Sequence, residues 1–501
     1  MAIRRVVLRG FGSGVIAGLV LVALMYLAKL LFGTTPLPQL LQQPILAVMP
    51  GFVFGFLIDT LQHAGKVVEE AGLIVGMIVG LGILGGAWGW ARKVWAWPPL
   101  AAAFAAIGWA LVTFVLLPIS GDGFLGLNEG PTTPLVWGGL FAVYGVVLQM
   151  GGDPAPGAPV GADAGRRRIL RLMPIGIVAL SAGGLVYELF PRWYQAVFKA
   201  PETGLSGASP EITPIENFYV VSKNFSDPVV SEQGWTLTVG GLVNNPQNLS
   251  MADLRALPSA TEYVTLECIS NNVGGPLMST GQFSGVRLRD LVSTAMPQTS
   301  ATHARFKARD GYTESLPLSL IAGSPEILVA YALDGAPLPT GHGFPARIVV
   351  PGHYGMKGPK WLDSIDLTSH DDGGYWETEG WDRSALVKTT ARFDVPNDSA
   401  IAKAGEAVSL LGVAFAGTRG ISKVEFSTDD GRTWSAANLK VPLSSLTWVL
   451  WDASWTPSHE GAHVLKVRAM DGTGASQDPN SSSSFPTGAS GYHTIHVDVS
   501  R

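Results

Sequence analysis

The chain has a single cysteine, Cys268, among 501 residues. One thiol excludes an intrachain disulfide and any cysteine-built zinc cluster or iron–sulfur site. Histidine is scarce where a haem would need it: of nine histidines, only His63 precedes residue 303. That argues against a haem held by two histidines in the N-terminal part, and no Cys-x-x-Cys-His occurs for a covalent one. Strong charge is also missing, since the formal net charge is −5, so no nucleic-acid partner is expected. Three roles stay open for Cys268: an inert buried hydrophobe, a nucleophile, or a soft ligand to a metal held mainly by something else.

What is present divides sharply. Residues 1–195 are strongly apolar, and the remainder is mixed. Apolar runs lie near Phe11–Gly33, Ile45–Ile58, Gly72–Ala91, Pro98–Pro118, Pro134–Met150 and Ile169–Phe190. A membrane span needs about 20 such residues. Ile45–Ile58 is short and holds Pro50, Gly51 and Gly55, which suits a re-entrant or interfacial piece, so five or six spans are expected. Basic clusters occur at Arg4, Arg5 and Arg9, at Arg92 and Lys93, and at Arg166, Arg167, Arg168 and Arg171, while the loops 36–44 and 120–133 have no Lys or Arg. Five spans put all three clusters inside and deliver everything after Phe190 to the outside. Arg166-Arg167-Arg168-Ile169-Leu170-Arg171 also resembles a twin-arginine export motif, although arginines beside spans are ordinary topology signals. Asp59, Lys66, Glu69 and Glu70 read as solvated loop groups rather than a proton path.

Pro154–Ala164 reads as a loop and Pro201–Pro214 as a linker. Short alternating strands such as Trp235–Val239 follow, with helical stretches at Ser250–Leu257 and Arg287–Thr294, giving a mixed α+β core. After Lys388 the pattern becomes strands alone, at Val408–Phe415, Ser422–Ser427, Thr447–Trp451 and His463–Ala469. Asp429-Asp430-Gly431 signals a hairpin, Ser476–Ser490 a long loop, and the tryptophans inside strands suggest a β-sandwich. The expected domains are a transmembrane helical domain over 1–195, a catalytic domain over 196–387 and a sandwich over 388–501.

Three segments carry chemistry. One is Thr265-Leu266-Glu267-Cys268-Ile269-Ser270-Asn271-Asn272. The second is His342-Gly343-Phe344-Pro345-Ala346-Arg347-Ile348-Val349-Val350-Pro351-Gly352, and the third is Gly358-Pro359-Lys360-Trp361-Leu362. An arginine and a lysine beside a histidine suit a phosphate. A thiol near such a site points to a phosphate-bearing cofactor with a soft reactive centre. The plainer readings are a core histidine, surface ion pairs for Arg347 and Lys360, and a simple turn at Asp310-Gly311. His353 and Tyr354 can approach a substrate, but read more simply as loop residues. Trp376 and Trp381 read as packing residues, and Glu377 and Glu379 as a solvated pair.

These ordered motifs resemble the sulfite oxidase family of molybdopterin enzymes from about Pro214 to the C-terminus. The family pattern is Thr-Leu-x-Cys, then His-Gly-Phe-Pro-x-Arg-x-Val-Val-Pro-Gly, then Lys-Trp-Leu. The resemblance implies that Cys268 binds molybdenum, whose other sulfurs come from molybdopterin. It further implies that Tyr219, Val220, Ser222, Lys223, Asp310, His342, Arg347, Gly358, Pro359 and Lys360 hold the cofactor. The C-terminal domain is similar to the family's immunoglobulin-like dimerisation domain, implying a homodimer.

The family's substrate arginines fall at Val221, Asn272 and Val273, and its active-site tyrosine near Trp381. Arg419, in Gly417-Thr418-Arg419-Gly420, matches a family arginine that reaches the site, giving it and Cys268 catalytic roles. A pocket short of arginines compensates a dianion poorly, and is similar to the bacterial branch that includes periplasmic methionine sulfoxide reductases. The expectation is a molybdenum–molybdopterin oxidoreductase in the bacterial cytoplasmic membrane, with its catalytic domain on the extracytoplasmic side. It would carry out two-electron oxygen-atom transfer and exchange electrons with an external cytochrome or quinone-linked protein. The alternatives are a sulfite dehydrogenase with a modified anion pocket and a non-catalytic membrane scaffold that reuses the fold.

Overall fold

The structure is a computed structural model that describes residues 2–48, 53, 65–94, 100–120, 122–127, 130–150, 207–224 and 227–501. The run Ile169–Phe190, the arginine motif before it, the loop Pro154–Ala164, His63 and most of Ile45–Ile58 lie outside the described residues. The chain divides into two compact units, residues 1–54 with 61–200 and residues 55–60 with 201–501.

Among the described residues of the first unit, four helices are long and apolar enough to cross a membrane: Arg4–Phe32, Val68–Val94, Leu100–Ile119 and Thr133–Met150. The first two belong to helices α1 (Ala2–Phe32) and α2 (Gly65–Val94). Glycine lets them touch backbone to backbone. A Cβ on Gly14 would lie 2.9 Å from Gly85 Cα and 3.0 Å from Gly82 Cα, and one on Gly10 would strike the Gly85 carbonyl. Glu70 departs from its expected solvated role. It is buried at 4% exposure, and its Oε1 accepts from Tyr26 Oη at 2.6 Å and from Gln39 Nε2 at 2.9 Å. Helix packing encloses this carboxylate, so hydrogen-bond donors on neighbouring elements replace water.

The second unit opens with an α+β domain of two sheets. One has the order β2-β1-β10-β5-β6, from β1 (Thr236–Gly241), β2 (Gln247–Ser250), β5 (His303–Ala308), β6 (Thr313–Pro317) and β10 (Leu362–Thr368). The other has the order β3-β4-β7-β8, with β9 also paired to β7. Its strands are β3 (Ser259–Glu267), β4 (Met278–Arg287), β7 (Leu328–Leu333), β8 (Ala336–Pro337) and β9 (Arg347–Val349). Trp235, Leu237, Phe306, Ile348 and Ile365 belong to one buried core of this domain. The helix Met251–Ala256 starts where the sequence indicates, with Ser250 and Asp253 forming a capping box.

The C-terminal domain is β-rich, with strands β11 (Thr390–Val395), β12 (Ala400–Lys403), β13 (Val408–Phe415), β14 (Ile421–Ser427) and β15 (Ser435–Ala436). It continues with β16 (Asn438–Leu439), β17 (Val449–Trp455), β18 (Gly461–Asp471) and β19 (His493–Ser500). They form two sheets, β11-β13-β17-β16 and β12-β19-β18-β14-β15. Phe393, Leu410 and Trp451 of the first sheet share a core with Val424, Val467 and Val497 of the second. Asp430 and Gly431, with φ of 61° and 85°, make the left-handed turn between β14 and β15.

Candidate functional site

Cys268 stands where β3 ends. The strand Ser259–Glu267 pairs antiparallel with β4, residue for residue, up to Glu267 against Met278. The loop beyond it is pinned by Asn271. Its amide donates to Glu267 Oε1 at 3.0 Å, its side-chain oxygen accepts from the Leu277 backbone at 2.9 Å, and Cys268 N donates to Leu277 O at 3.0 Å. The C-terminal domain clamps the same strand. Thr265 N donates to Leu446 O at 3.0 Å, Trp448 N donates to Thr265 Oγ1 at 2.8 Å, and Arg392 reaches Gly275 O at 2.7 Å. The thiol's position is therefore set by both domains.

Cys268 is a free, half-buried cysteine, and burial pushes its thiol pKa up; Ser270, with Oγ 3.1 Å from Sγ, pulls the other way. Such a thiol stays neutral unless a cation meets it. Glu267 beside it is buried, its Oε2 has no hydrogen-bond partner among the described residues, and its carboxyl is raised to about 7 by burial, against the pull of Asn271. Burial raises the phenols of Tyr219, Tyr312 and Tyr354.

A second cluster centres on Arg347. Arg347 is buried at 6% exposure. Its guanidinium donates only to backbone carbonyls, His342 O at 3.2 Å, Gly358 O at 3.4 Å and Ile348 O at 3.4 Å, and no carboxylate pairs with it among the described residues. Burial lowers its pKa to about 10. Lys360 Nζ lies 2.8 Å from Gly341 O, 3.1 Å from Val221 O and 4.4 Å from the centre of the Trp361 ring. His342 is held down to about 4, by burial first and then by Arg347 and Lys360, so it is neutral at pH 7. Gly343 makes the cluster possible. It has φ 109°, and a Cβ there would lie 3.0 Å from Lys360 Cβ and 3.1 Å from Arg347 Cβ. A buried guanidinium without a counter-ion, next to an ammonium, is built for an anion.

The remaining expected residues fall beside this cradle. Val220 packs within 3.5 Å of the Cβ position at Gly341, and Pro359 O accepts from Ile348 N at 2.9 Å. Lys223 donates to Asp310 O at 2.8 Å, while Ser222 Oγ accepts from Asn224 N at 3.2 Å. The Asp310 carboxylate accepts from Asn224 Nδ2 at 2.8 Å and Tyr312 N at 3.0 Å. It fastens the segment before Asn224 to the β5–β6 turn, where Gly311 N donates to Ala308 O at 2.9 Å. Arg419 stands apart from the cradle. It donates to Asp471 Oδ2 at 2.8 Å and to Val387 O at 3.0 Å. Trp381 packs, buried, edge-on to Phe485 at 5.1 Å.

Glu377 corrects its expected solvated role. It is buried and pairs with Lys357, which also meets the fully buried Glu314 at 2.9 Å. One buried ammonium draws both carboxylates out of water, a long-range pairing without a local pattern. Sequence reasoning missed Glu314, Lys357, Tyr312 and Arg392. The one available signal was a glutamate inside the strand Thr313–Pro317.

The comparisons agree with this geometry. The profile of the oxidoreductase molybdopterin binding domain matches residues 224–376, and that of the Mo-co oxidoreductase dimerisation domain matches 383–499. Sulfite oxidase of Arabidopsis thaliana is 31% identical over 277 residues, 45% of this chain and 70% of that protein. Human mitochondrial sulfite oxidase is 28% identical over 313 residues, 52% of this chain and 57% of that protein. The crystal structure of the sulfane dehydrogenase SoxCD from Paracoccus pantotrophus covers 60% of this chain and 83% of its own, with a TM-score of 0.52 and 19% identity, a likeness of fold alone. The matched domain and the sulfite oxidase relatives define a molybdopterin-dependent oxidoreductase. The chain belongs to the sulfite oxidase family of these enzymes. Its cofactor is molybdenum bound by molybdopterin, and the C-terminal match supports a homodimer.

The residues fit that cofactor. Cys268 offers a thiol that needs a cation to ionise, and Arg347 offers a buried positive charge that lacks an anion.

Proposed function

We propose that this chain is a membrane-anchored molybdoenzyme whose catalytic unit works outside the bacterial cytoplasmic membrane. The observation that carries the enzymatic part is the free Cys268 at the end of β3, together with a buried Arg347 that donates to backbone carbonyls and meets no carboxylate among the described residues. Cys268 would bind the metal. Arg347, Lys360, His342 and the Gly358–Pro359 backbone would hold the pterin phosphate, with Tyr219, Val220, Ser222, Lys223 and Asp310 shaping its other edge. When bound, the cofactor supplies two-electron oxygen-atom transfer. The protein supplies the thiolate, a fixed field and a pocket whose walls come from both domains. Arg419 acts from the C-terminal domain, read here as an immunoglobulin-like dimerisation module over 388–501, with 196–387 catalytic and 1–195 in the membrane.

Support for anchoring comes from the four helices long and apolar enough to span and from the Lys/Arg distribution between them. Electrons would pass to or from an external cytochrome or quinone-linked protein, because one cysteine and the scarce N-terminal histidines leave no haem or cluster of the chain's own. The test is Cys268→Ser in the full chain. Activity is expected to vanish while folding stays near normal. X-ray absorption of the loaded wild type should show one sulfur neighbour more than the serine variant, and an equal count in both refutes the ligand role.

A further inference from the structure

Cys268 opens a tight turn. Asn271 N donates to Cys268 O at 3.0 Å, which makes Ile269 and Ser270 the two central residues. Ile269 is buried at 5% exposure and anchors the turn. Ser270 instead brings its Oγ to 3.1 Å from Cys268 Sγ. This is the one hydrogen bond of either side chain among the described residues. A serine in a turn commonly bonds a nearby backbone amide. Here the hydroxyl meets the sulfur.

Chemistry fixes the direction of this bond. A neutral thiol can donate or accept, whereas a thiolate can only accept. With a metal on the sulfur, the hydroxyl is therefore the donor. No cationic side chain hydrogen-bonds to Sγ among the described residues. Arg392 is held by Asp394 at 2.9 Å and by Gly275 O at 2.7 Å, and Arg347 donates to three backbone carbonyls. The neighbouring side chain, Glu267, is acidic and buried. The backbone under Ser270 is fixed relative to the sulfur by the bonds that Cys268 N and the Asn271 amide make to Leu277 and Glu267.

A hydrogen bond into a metal-bound thiolate draws electron density away from the sulfur. The sulfur then donates less to the metal. That favours the reduced, more electron-rich state and raises the reduction potential. A hydroxyl is suited to this role because it keeps its proton in every oxidation state of the metal.

We propose that Ser270 is a positioning residue whose hydroxyl donates to the Cys268 thiolate and holds up the reduction potential of the molybdenum centre. The inference rests on the ligand role given to Cys268 above. Its test is a redox titration of the loaded, detergent-solubilised full chain, followed by the electron paramagnetic resonance signal of the half-reduced metal. Ser270→Ala is expected to favour the oxidised state about tenfold more than wild type at each one-electron step, a fall of about 59 mV. Molybdenum content and melting temperature should stay unchanged. Ser270→Thr keeps the hydroxyl and should restore the wild-type potential, whereas its isostere Ser270→Val should not. A serine with a merely structural role would move the melting temperature and leave the potentials alone. Potentials unchanged or raised in Ser270→Ala and Ser270→Val, or shifted equally in Ser270→Thr and Ser270→Val, overturn the proposal. If Ser270→Ala fails to load, the Thr and Val pair decides. Loss of metal from both Ser270→Ala and Ser270→Val also overturns it, because the hydroxyl would then serve loading rather than potential. Absence of molybdenum from wild type, or a sulfur count unchanged by Cys268→Ser, would instead sink the reading of function, and both are measured first.

Discussion

Lys357 Nζ lies 2.9 Å from Glu314 Oε1, an ion pair in which the lysine side chain is 5% exposed and the glutamate 0%. Glu377 meets the same ammonium, and its other oxygen accepts from Gly374 N at 3.0 Å, capping the short helix Tyr375–Thr378. Two buried carboxylates thus share one lysine, directly before the Gly358–Lys360 stretch of the cradle. Lys357→Ala is expected to destabilise the catalytic domain by about 3–5 kcal/mol, because it leaves two acids buried without a partner. Thermal melting of the solubilised chain should register the loss. A variant that melts like wild type would show that the pair is not needed.

The same triad makes stability pH-dependent. Burial, reinforced by Glu377 and opposed by Lys357, raises Glu314 from 4.5 to about 8. A carboxyl raised on folding binds its proton more tightly in the folded state. Its contribution is therefore complete below pH 4.5 and is lost as pH rises towards 8. Melting temperatures taken from pH 6 to pH 9 are expected to fall with this component, and Glu314→Gln should flatten that part of the slope. An identical slope in both proteins would place the linkage elsewhere.

Arg347→Met keeps much of the buried stem but removes the charge from the cradle. Losing charge-assisted hydrogen bonds should weaken cofactor binding by about 10- to 100-fold. Arg347→Lys keeps the charge without the fork and should fall between. Molybdenum and pterin per purified chain give the readout, and full occupancy in Arg347→Met contradicts the assignment.

Several parts of this arrangement were legible in the sequence. Strand β13 runs over Val408–Phe415, as its alternation indicates, and Ser250 caps its helix. Cys268, Arg347 and Lys360 could be singled out because each sits in a short local motif. The burial of Glu70, Glu377 and Tyr354 could not be, although Tyr354 stood out as able to approach a substrate. Their burial depends on partners distant in the chain, Tyr26 for Glu70, Lys357 for Glu377 and Gly488 for Tyr354. Local polarity marks a loop, whereas only the fold reveals which polar group it encloses.

The apolar unit offers a test of its own. Along α1 and α2, a Cβ on Gly18 would stand 3.7 Å from Ile78 Cα, while Gly14 sits against Leu81 and Gly85 with no room for a side chain. Close approach of this kind relies on dispersion between backbones rather than on the hydrophobic effect when lipid surrounds the helices. Cysteines introduced as Gly18→Cys and Ile78→Cys should therefore cross-link on mild oxidation, in a Cys268→Ser background that removes the native thiol. Adding Gly14→Leu should push the helices apart and reduce cross-linking by at least about tenfold, since overpacking a tight contact costs about 1–3 kcal/mol. Cross-linking that survives Gly14→Leu would mean that the two helices are held together by something other than their glycines, with the Tyr26–Glu70 bond the first alternative to remove.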